Sequence, residues 1–341
     1  MKGGASSRNG LKFAVLAGAF LVVFFGSFLL GRYPVDPLTL VKLLLSRIVE
    51  IPQTWADGAE SSVFQIRLPR VTAAALIGAA LSAAGAAYQG LFRNPMVSPD
   101  ILGASSGAGF GAAMAIWCGV GYFTISLGAF CTGLIAVLLA YALGRASKIN
   151  TTLSMVLSGM MVSSLFTAAT SFLKLIADTD EVLPAITYWL MGSLSSIRPR
   201  TIPFLAVPVL AGLLVLLCLR WRLNLLTVSD EEAESMGVNV RRLRAVVIVC
   251  ATLMTAASVA VGGLIGWVGL VIPHFARLIF GYDYRKLLPA SALMGAAYLI
   301  VVDDAARLLA TSELPIGILT ACVGAPVFAW LILTGGAKRG R

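Results

Sequence analysis

Long apolar runs separated by short polar segments set the pattern of this chain. Phe13 to Leu30 and Ile202 to Leu219 each pass without a single charge, close to the roughly 20 residues that cross a bilayer as a helix. Ten such spans are predicted, at about 12–31, 69–91, 101–118, 121–143, 151–175, 201–219, 244–262, 266–281, 287–306 and 314–334. The run from Ala245 to Gly281 is too long for one span, and Gly262, Gly263 and Gly266 inside it permit a tight reversal. The short alternating segments of a transmembrane β-barrel are absent. The pattern therefore predicts an all-α polytopic membrane protein, a single transmembrane domain over residues 1–341 with both termini cytoplasmic.

Two polar segments on the outer side carry short helices of their own. The amphipathic stretch "LTLVKLLLSRIVE" within 32–66 predicts a helix lying on the surface. Residues 176–200 hold an apolar piece too brief to span, which fits a re-entrant element. At the amino terminus Lys2, Arg8 and Lys12 precede an apolar stretch as in a signal peptide. That stretch is longer than the usual signal core and no A-x-A-like site follows, so an uncleaved first span is expected.

Composition agrees: 58% of residues are hydrophobic and 12% charged, with a mean hydropathy of +0.90, which a soluble domain of this size does not show. The net charge of +10 raises the question of nucleic acid. Counted by segment, 17 of the 26 basic residues but only 6 of the 16 acids fall on the inner side. The excess is the asymmetry that orients membrane proteins, and no nucleic-acid partner is needed to explain it.

The chemistry of an enzyme is missing. No GxxxxGK[ST] loop is present, the lone His274 has no neighbour with which to bind metal, and Cys118, Cys131, Cys218, Cys250 and Cys322 sit singly in apolar runs, as small buried hydrophobes. A proton- or sodium-driven carrier ordinarily needs a midplane carboxylate. Here Lys174, Asp303 and Asp304 lie near the outer ends of their spans, so the energy source is expected elsewhere. A stand-alone carrier or channel is the competing reading. Small residues at helical spacing, Gly78, Ser82, Gly85 and Gln89, and the "GASSGAGFGAA" opening of the third span suit close helix packing.

Two charged features depart from the apolar background. Arg67 and Arg70 flank the start of the second span in "RLPR", where they oppose both the helix dipole and the positive-inside rule. Together they suggest an acidic partner, with lipid phosphate as the alternative; Arg307 lies outside too, at i,i+4 from Asp303, where an intrahelical pair is the alternative. The second feature is "SDEEAESMGVNVRRLR", Ser229 to Arg244. Ser229 and Glu232 make a capping box, acids fill the first turn, and Gly237 suits the position after the helix end. A short helix from Asp230 to Met236 is predicted, with Asn239 capping the next. It reads as a docking element or a solvated loop.

These residues resemble the FecCD-type permeases of binding-protein-dependent ABC importers for iron-siderophores, haem and cobalamin. The likeness runs through "RLPR" (67–70), "GAALSAAGAAYQGLFRNPMVSPDILGASSGAGFG" (78–111), "WLMGSL" (189–194), "RLNLL" (222–226), "GVNVRRLR" (237–244), "GLIGWVGLVIPHFARL" (263–278) and "LLPASALMGA" (287–296). The segment from Glu313 completes it. The resemblance implies a pair of permease copies in a bacterial or archaeal cytoplasmic membrane. Two ATPase subunits, which hold ATP and Mg, and a substrate-binding protein complete the importer, with no cofactor on this chain. It further implies that Ser229, Asp230, Glu231, Glu232, Ala233, Glu234, Ser235, Met236 and Gly237 contact the ATPases. Arg67, Arg70 and Arg307 would meet glutamates of the binding protein, and Asn94, Met96, Thr151 and Thr152 would form the cytoplasmic gate. Asp304 departs from the family, which more often has an apolar residue there.

Overall fold

The structure, a computed structural model, describes residues 3–335 apart from 32, 48, 50–51, 54, 148–150 and 311–312. Lys2, Lys148, Lys338, Arg339 and Arg341, counted above for orientation, lie outside the described residues, as do the side chains of Arg8 and Thr151. Helices α1 (Gly3–Ser27), α2 (Pro37–Leu45) and α3 (Asp57–Ser61) come first. A π-helical turn, Ser62–Arg67, leads into α4 (Leu68–Leu91). Next come α5 (Ala104–Trp117), α6 (Tyr122–Ala146), α7 (Thr151–Ile176), α8 (Val182–Leu190) and α9 (Thr201–Leu223). The chain ends with α10 (Asp230–Ser235), α11 (Val240–Gly262), α12 (Val268–Phe280), α13 (Tyr284–Leu308) and α14 (Ile316–Gly335).

Each of the ten predicted spans coincides with a helix. Seven of them (α1, α4, α6, α7, α9, α11 and α13) are long and apolar enough to cross a membrane. α12 is apolar but has only 13 residues. The two outer segments also hold helices: α2, capped by the Asp36 carboxylate accepting from the Leu38 and Thr39 amides, and the nine-residue α8. Ion pairs and hydrogen bonds sort the connections into two sets at opposite ends. Ser27 meets Asp304 and Arg70 meets Glu313 at one end. Lys12 meets the Ile279 carbonyl, Arg93 meets Asp230 and Asn224 meets Asp283 at the other. That grouping is the one expected if successive spans alternate in direction. Outer and inner below follow the orientation set by charge.

Burial separates a core from a periphery. Of the most apolar stretch, 78% is buried in the span ending in α4 and in α11 and 67% in α13, against 6% in α1. Lipid provides no hydrophobic drive for helix association, so close backbone approach must supply it. α4 achieves this with the predicted small-residue stripe. A Cβ on Gly78 would collide with the carbonyl of Gly295 in α13, and one on Gly85 with the carbonyl of Gly269 in α12. Ser82 lies against Gly295, and Gln89 donates to the carbonyls of Val97, Gly269 and Leu270. All four stripe positions serve packing.

The reversal between α11 and α12 occurs where the glycines predicted it. Gly263 ends α11 with φ 70, and Trp267 starts α12 at φ 68, a left-handed position unusual for a bulky residue. Backbone groups freed there are satisfied locally, as a bilayer requires. The Ser193 amide donates to Gly262, and the first amides of α14, Ile316 and Gly317, donate to Gly192 and Met191. The "WLMGSL" segment thus braces both breaks. One expectation fails. Only Cys250 is buried, whereas Cys118, Cys131, Cys218 and Cys322 are exposed. An apolar run in a membrane helix faces lipid as readily as core, so apolar neighbours do not imply burial.

Replacing Gly85 by Val should lower thermal stability in detergent by about 1–3 kcal/mol or more, because the opposing atom is backbone and cannot swing aside. Gly18→Val, where an added Cβ meets nothing within 4 Å, should stay within about 0.5 kcal/mol. Equal melting temperatures for the two variants would count against the seam.

Candidate functional site

The outer ends of α1, α4 and α13 converge on one ion network. Arg70 donates to both oxygens of Asp303 at 2.9 and 3.0 Å, and to both oxygens of Glu313 at 2.9 Å. Arg307 pairs with Asp303 at 3.3 Å and with Asp304, and donates to Ser27 and the Leu30 carbonyl. Arg67 donates to the carbonyls of Phe28 and Tyr33. The three arginines are 3%, 5% and 9% exposed in the order 67, 70, 307.

The acidic partners that the charge argument required are thus within the chain for Arg70 and Arg307. In this state none of the three presents a free guanidinium to a docking protein. The i,i+4 pair of Arg307 with Asp303 is present. Asp304, the departure from the family pattern, is 7% exposed and accepts from Ser27 at 2.6 Å. It is therefore a network member and not a water-facing charge. Glu313 is the accessible edge, with 30% of its side chain exposed.

At the inner end the chain forms the short helix expected from its capping signals. Ser229 accepts from the Glu232 amide at 3.2 Å, and the Glu232 carboxylate accepts from the Ser229 amide at 3.1 Å. Met236 closes α10, Gly237 follows at φ 79, and the Asn239 side chain caps α11 by accepting from the Arg242 amide. Ala233 is buried beneath α10, while Glu231, Glu234, Ser235 and Met236 are exposed. The helix therefore sits by one face and presents an acidic, partly apolar face outward.

Asp230 anchors that seat. It accepts from Arg93 at 2.5 Å and from Arg244 at 3.1 Å. Burial alone would raise the Asp230 carboxyl, but Arg244 and Arg93 outweigh it and hold it below the ordinary carboxylate range. Its contribution to stability is then present above that range and lost as pH falls through the lowered value. Beside it, Asn224 of "RLNLL" donates to Asp283 and accepts from the Tyr284 amide, tying α9 to α13. Hydrogen bonds from Arg285 hold Asp283 down to about 2.

Two cavities lie above this platform. The inner one, about 730 Å³, is lined by Gln89, Arg93, Asn94, Met96, His274 and Arg277 among others. The second, about 460 Å³, includes Ser98, Asp100, Ser105, Thr255 and Trp267. Met96, Leu270 and Phe328 border both. Of the expected gate residues, Met96 is brought to the boundary and Asn94 to the lining of the inner cavity, whereas Thr152 lines neither. Sequence reasoning passed over Asp100, in the loop ahead of α5. Its carboxylate accepts from the Ser105 amide at 2.6 Å ahead of α5, a capping arrangement that the spacing of Asp100 and "ASS" could have suggested.

Asp303, at 1% exposure, touches two arginines. Asp303→Asn should destabilise the chain by about 3–5 kcal/mol in thermal unfolding, because it leaves buried charge uncompensated. Glu60→Gln, which breaks an exposed pair with Arg47, should cost less than about 1 kcal/mol.

Comparison with known proteins bears on the same residues. Residues 19–334 match the FecCD transport family. The chain is 39% identical over 304 residues to the molybdate import system permease MolB of Haemophilus influenzae, covering 89% of each chain. It is 43% identical over 272 residues to a probable iron chelatin transport system permease of Helicobacter pylori, covering 79% of this chain and 82% of that one. A solved metal-chelate type ABC transporter in an inward-facing conformation superposes with a TM-score of 0.84 at 38% identity, over 94% of this chain and 97% of that chain. A charged inner helix, a spanning core and two stacked cavities belong here to a permease subunit without enzymatic activity of its own, and the chain is a member of the FecCD transport family of ABC importers.

Proposed function

We propose that this permease moves an iron chelate, siderophore or haem, into the cytoplasm across a bacterial or archaeal cytoplasmic membrane. Two copies enclose the path, two ATPases sit beneath, and a substrate-binding protein docks outside. ATP and Mg belong to the ATPases, and this chain carries no cofactor. α10, capped at Ser229 and ended by Gly237, is the ATPase contact. ATP-driven closure of the ATPases displaces it, and rearrangement of the spans opens one side while closing the other.

The observation that carries this reading is α10 itself: a capped helix with a free acidic face, held to the body by one ion-paired residue. Met96, at the boundary of the two cavities, and Asn94, in the lining of the inner one, act as the inner gate together with Thr151 and Thr152 at the start of α7. Arg67, Arg70 and Arg307 receive the binding protein. Since all three are engaged internally, docking requires exchange: an incoming glutamate takes the place of Glu313 on Arg70. Molybdate or cobalamin import is the second reading, favoured by the names of the relatives from Haemophilus influenzae and Halobacterium salinarum.

In proteoliposomes holding the assembled transporter, uptake driven by ATP should be found with ferric siderophore or haem. Uptake of molybdate or cobalamin alone would decide for the second reading. Deleting residues 230–236 should abolish uptake without preventing membrane insertion, and retained transport would sink the assignment of α10. Charge reversal of Arg67, Arg70 and Arg307 to Glu should weaken binding-protein docking, with a changed salt dependence. Uptake by this chain alone on an ion gradient would overturn the importer.

A further inference from the structure

The pair formed by Arg93 and Asp230 connects two parts of the inner end: the helix exposed to a partner and the loop that borders both cavities. We propose that Asp230 and Arg93 are the link through which displacement of α10 reaches residues 93–96 at the inner boundary. The inference rests on the reading of α10 as the ATPase contact.

Asp230 is the first residue of α10 and must move with it. Among the described residues it is the one acid of that helix held in an ion pair. Arg93 grips the same segment at two points, donating from Nε to the Leu226 carbonyl at 2.9 Å and from Nη2 to Asp230 at 2.5 Å. A planar guanidinium held at two atoms fixes orientation as well as distance, which one charge on a flexible stem cannot do. The Arg93 backbone is left-handed, at φ 52, a conformation that non-glycine residues adopt at a cost.

From Arg93 the connection to the boundary is short. Asn94 follows directly, its side-chain oxygen accepts from the Met96 amide at 2.9 Å, and Met96 borders both cavities. The second partner of Asp230, Arg244, lies at the start of α11. Asp230 therefore stands between a fixed buried helix and a loop at the cavity mouth. The pair with Arg93 is partly exposed, at 40% and 46% of the two side chains. An ion pair in that setting adds little to stability, so its removal tests transmission without first unfolding the chain.

The test uses the full importer in proteoliposomes, with Met96→Cys as a reporter in a chain lacking its native cysteines. The readouts are ATP hydrolysis and the rate at which a water-soluble maleimide labels position 96, with and without ATP. With Arg93 and Asp230 intact, ATP should change the labelling rate by about fivefold or more. With Arg93→Ala, hydrolysis should continue while labelling becomes independent of ATP. Arg93→Lys, which keeps one charge but not the two-point grip, should recover part of the response.

Asp230→Asn keeps the side-chain shape and removes the charge. Labelling in this variant should likewise lose its dependence on ATP, and that readout carries the test if the alanine variant fails to assemble. Labelling that still follows ATP in both variants, or that ignores ATP when the pair is intact, would overturn the link. If deletion of 230–236 uncouples the importer while Arg93→Ala does not, the link fails and the reading of α10 stands. If that deletion leaves coupling intact, the reading of α10 fails first.

Discussion

Helices in hydrocarbon gain nothing by hiding apolar side chains from one another, since the solvent is equally apolar. What holds them together is backbone brought against backbone, and in this protein that contact is concentrated on α4. Gly78 against Gly295 and Gly85 against Gly269 fix α4 to α13 and α12 at separations no side chain would allow. The remaining architecture follows from that seam. α11 completes the buried core, and α1, α6, α7 and α9 can leave most of their surface to lipid.

α4 also joins the two charged regions. Arg67 and Arg70 stand at its outer end, and Arg93 lies two residues beyond its inner end. The two regions differ in kind. Outside, Arg70 and Arg307 meet three carboxylates, Asp303, Asp304 and Glu313, beside Arg67, which donates to backbone carbonyls, in a nearly dry cluster. Burying such groups carries a large desolvation cost, so the cluster specifies geometry more than it adds stability. Inside, the pairs around Asp230 are partly wet and can exchange partners at little cost. α4 thus carries a nearly dry charged cap at one end and partly exposed contacts at the other.

Much of this was legible in the sequence wherever a local rule dominates. Capping chemistry placed α10 to within a residue because Ser229, Glu232 and Gly237 act on neighbouring backbone alone. The glycines of the α11–α12 reversal were read for the same reason, and the small-residue stripe of α4 was read from its helical spacing, though not its partners Gly295 and Gly269. What could not be read depends on which residues from distant segments share a face. Arg70 meets Glu313 across 243 positions, and Arg93 meets Asp230 across 137. The arginines were recognised as needing acids, but that Asp303 and Glu313 stand within reach of Arg70 depends on how distant segments pack. Likewise, apolar runs did not distinguish lipid from core, and four cysteines were misplaced on that account.

Met96 has a wider consequence. The wall between the cavities includes an unbranched thioether beside Leu270 and Phe328, and none of the described residues that line both cavities is charged. An apolar wall of this kind resists ions through the cost of dehydration and bulky solutes by volume. Methionine changes rotamer easily and reshapes around irregular surfaces. A wall built this way can yield to shapes of very different outline without carrying a group that recognises any of them.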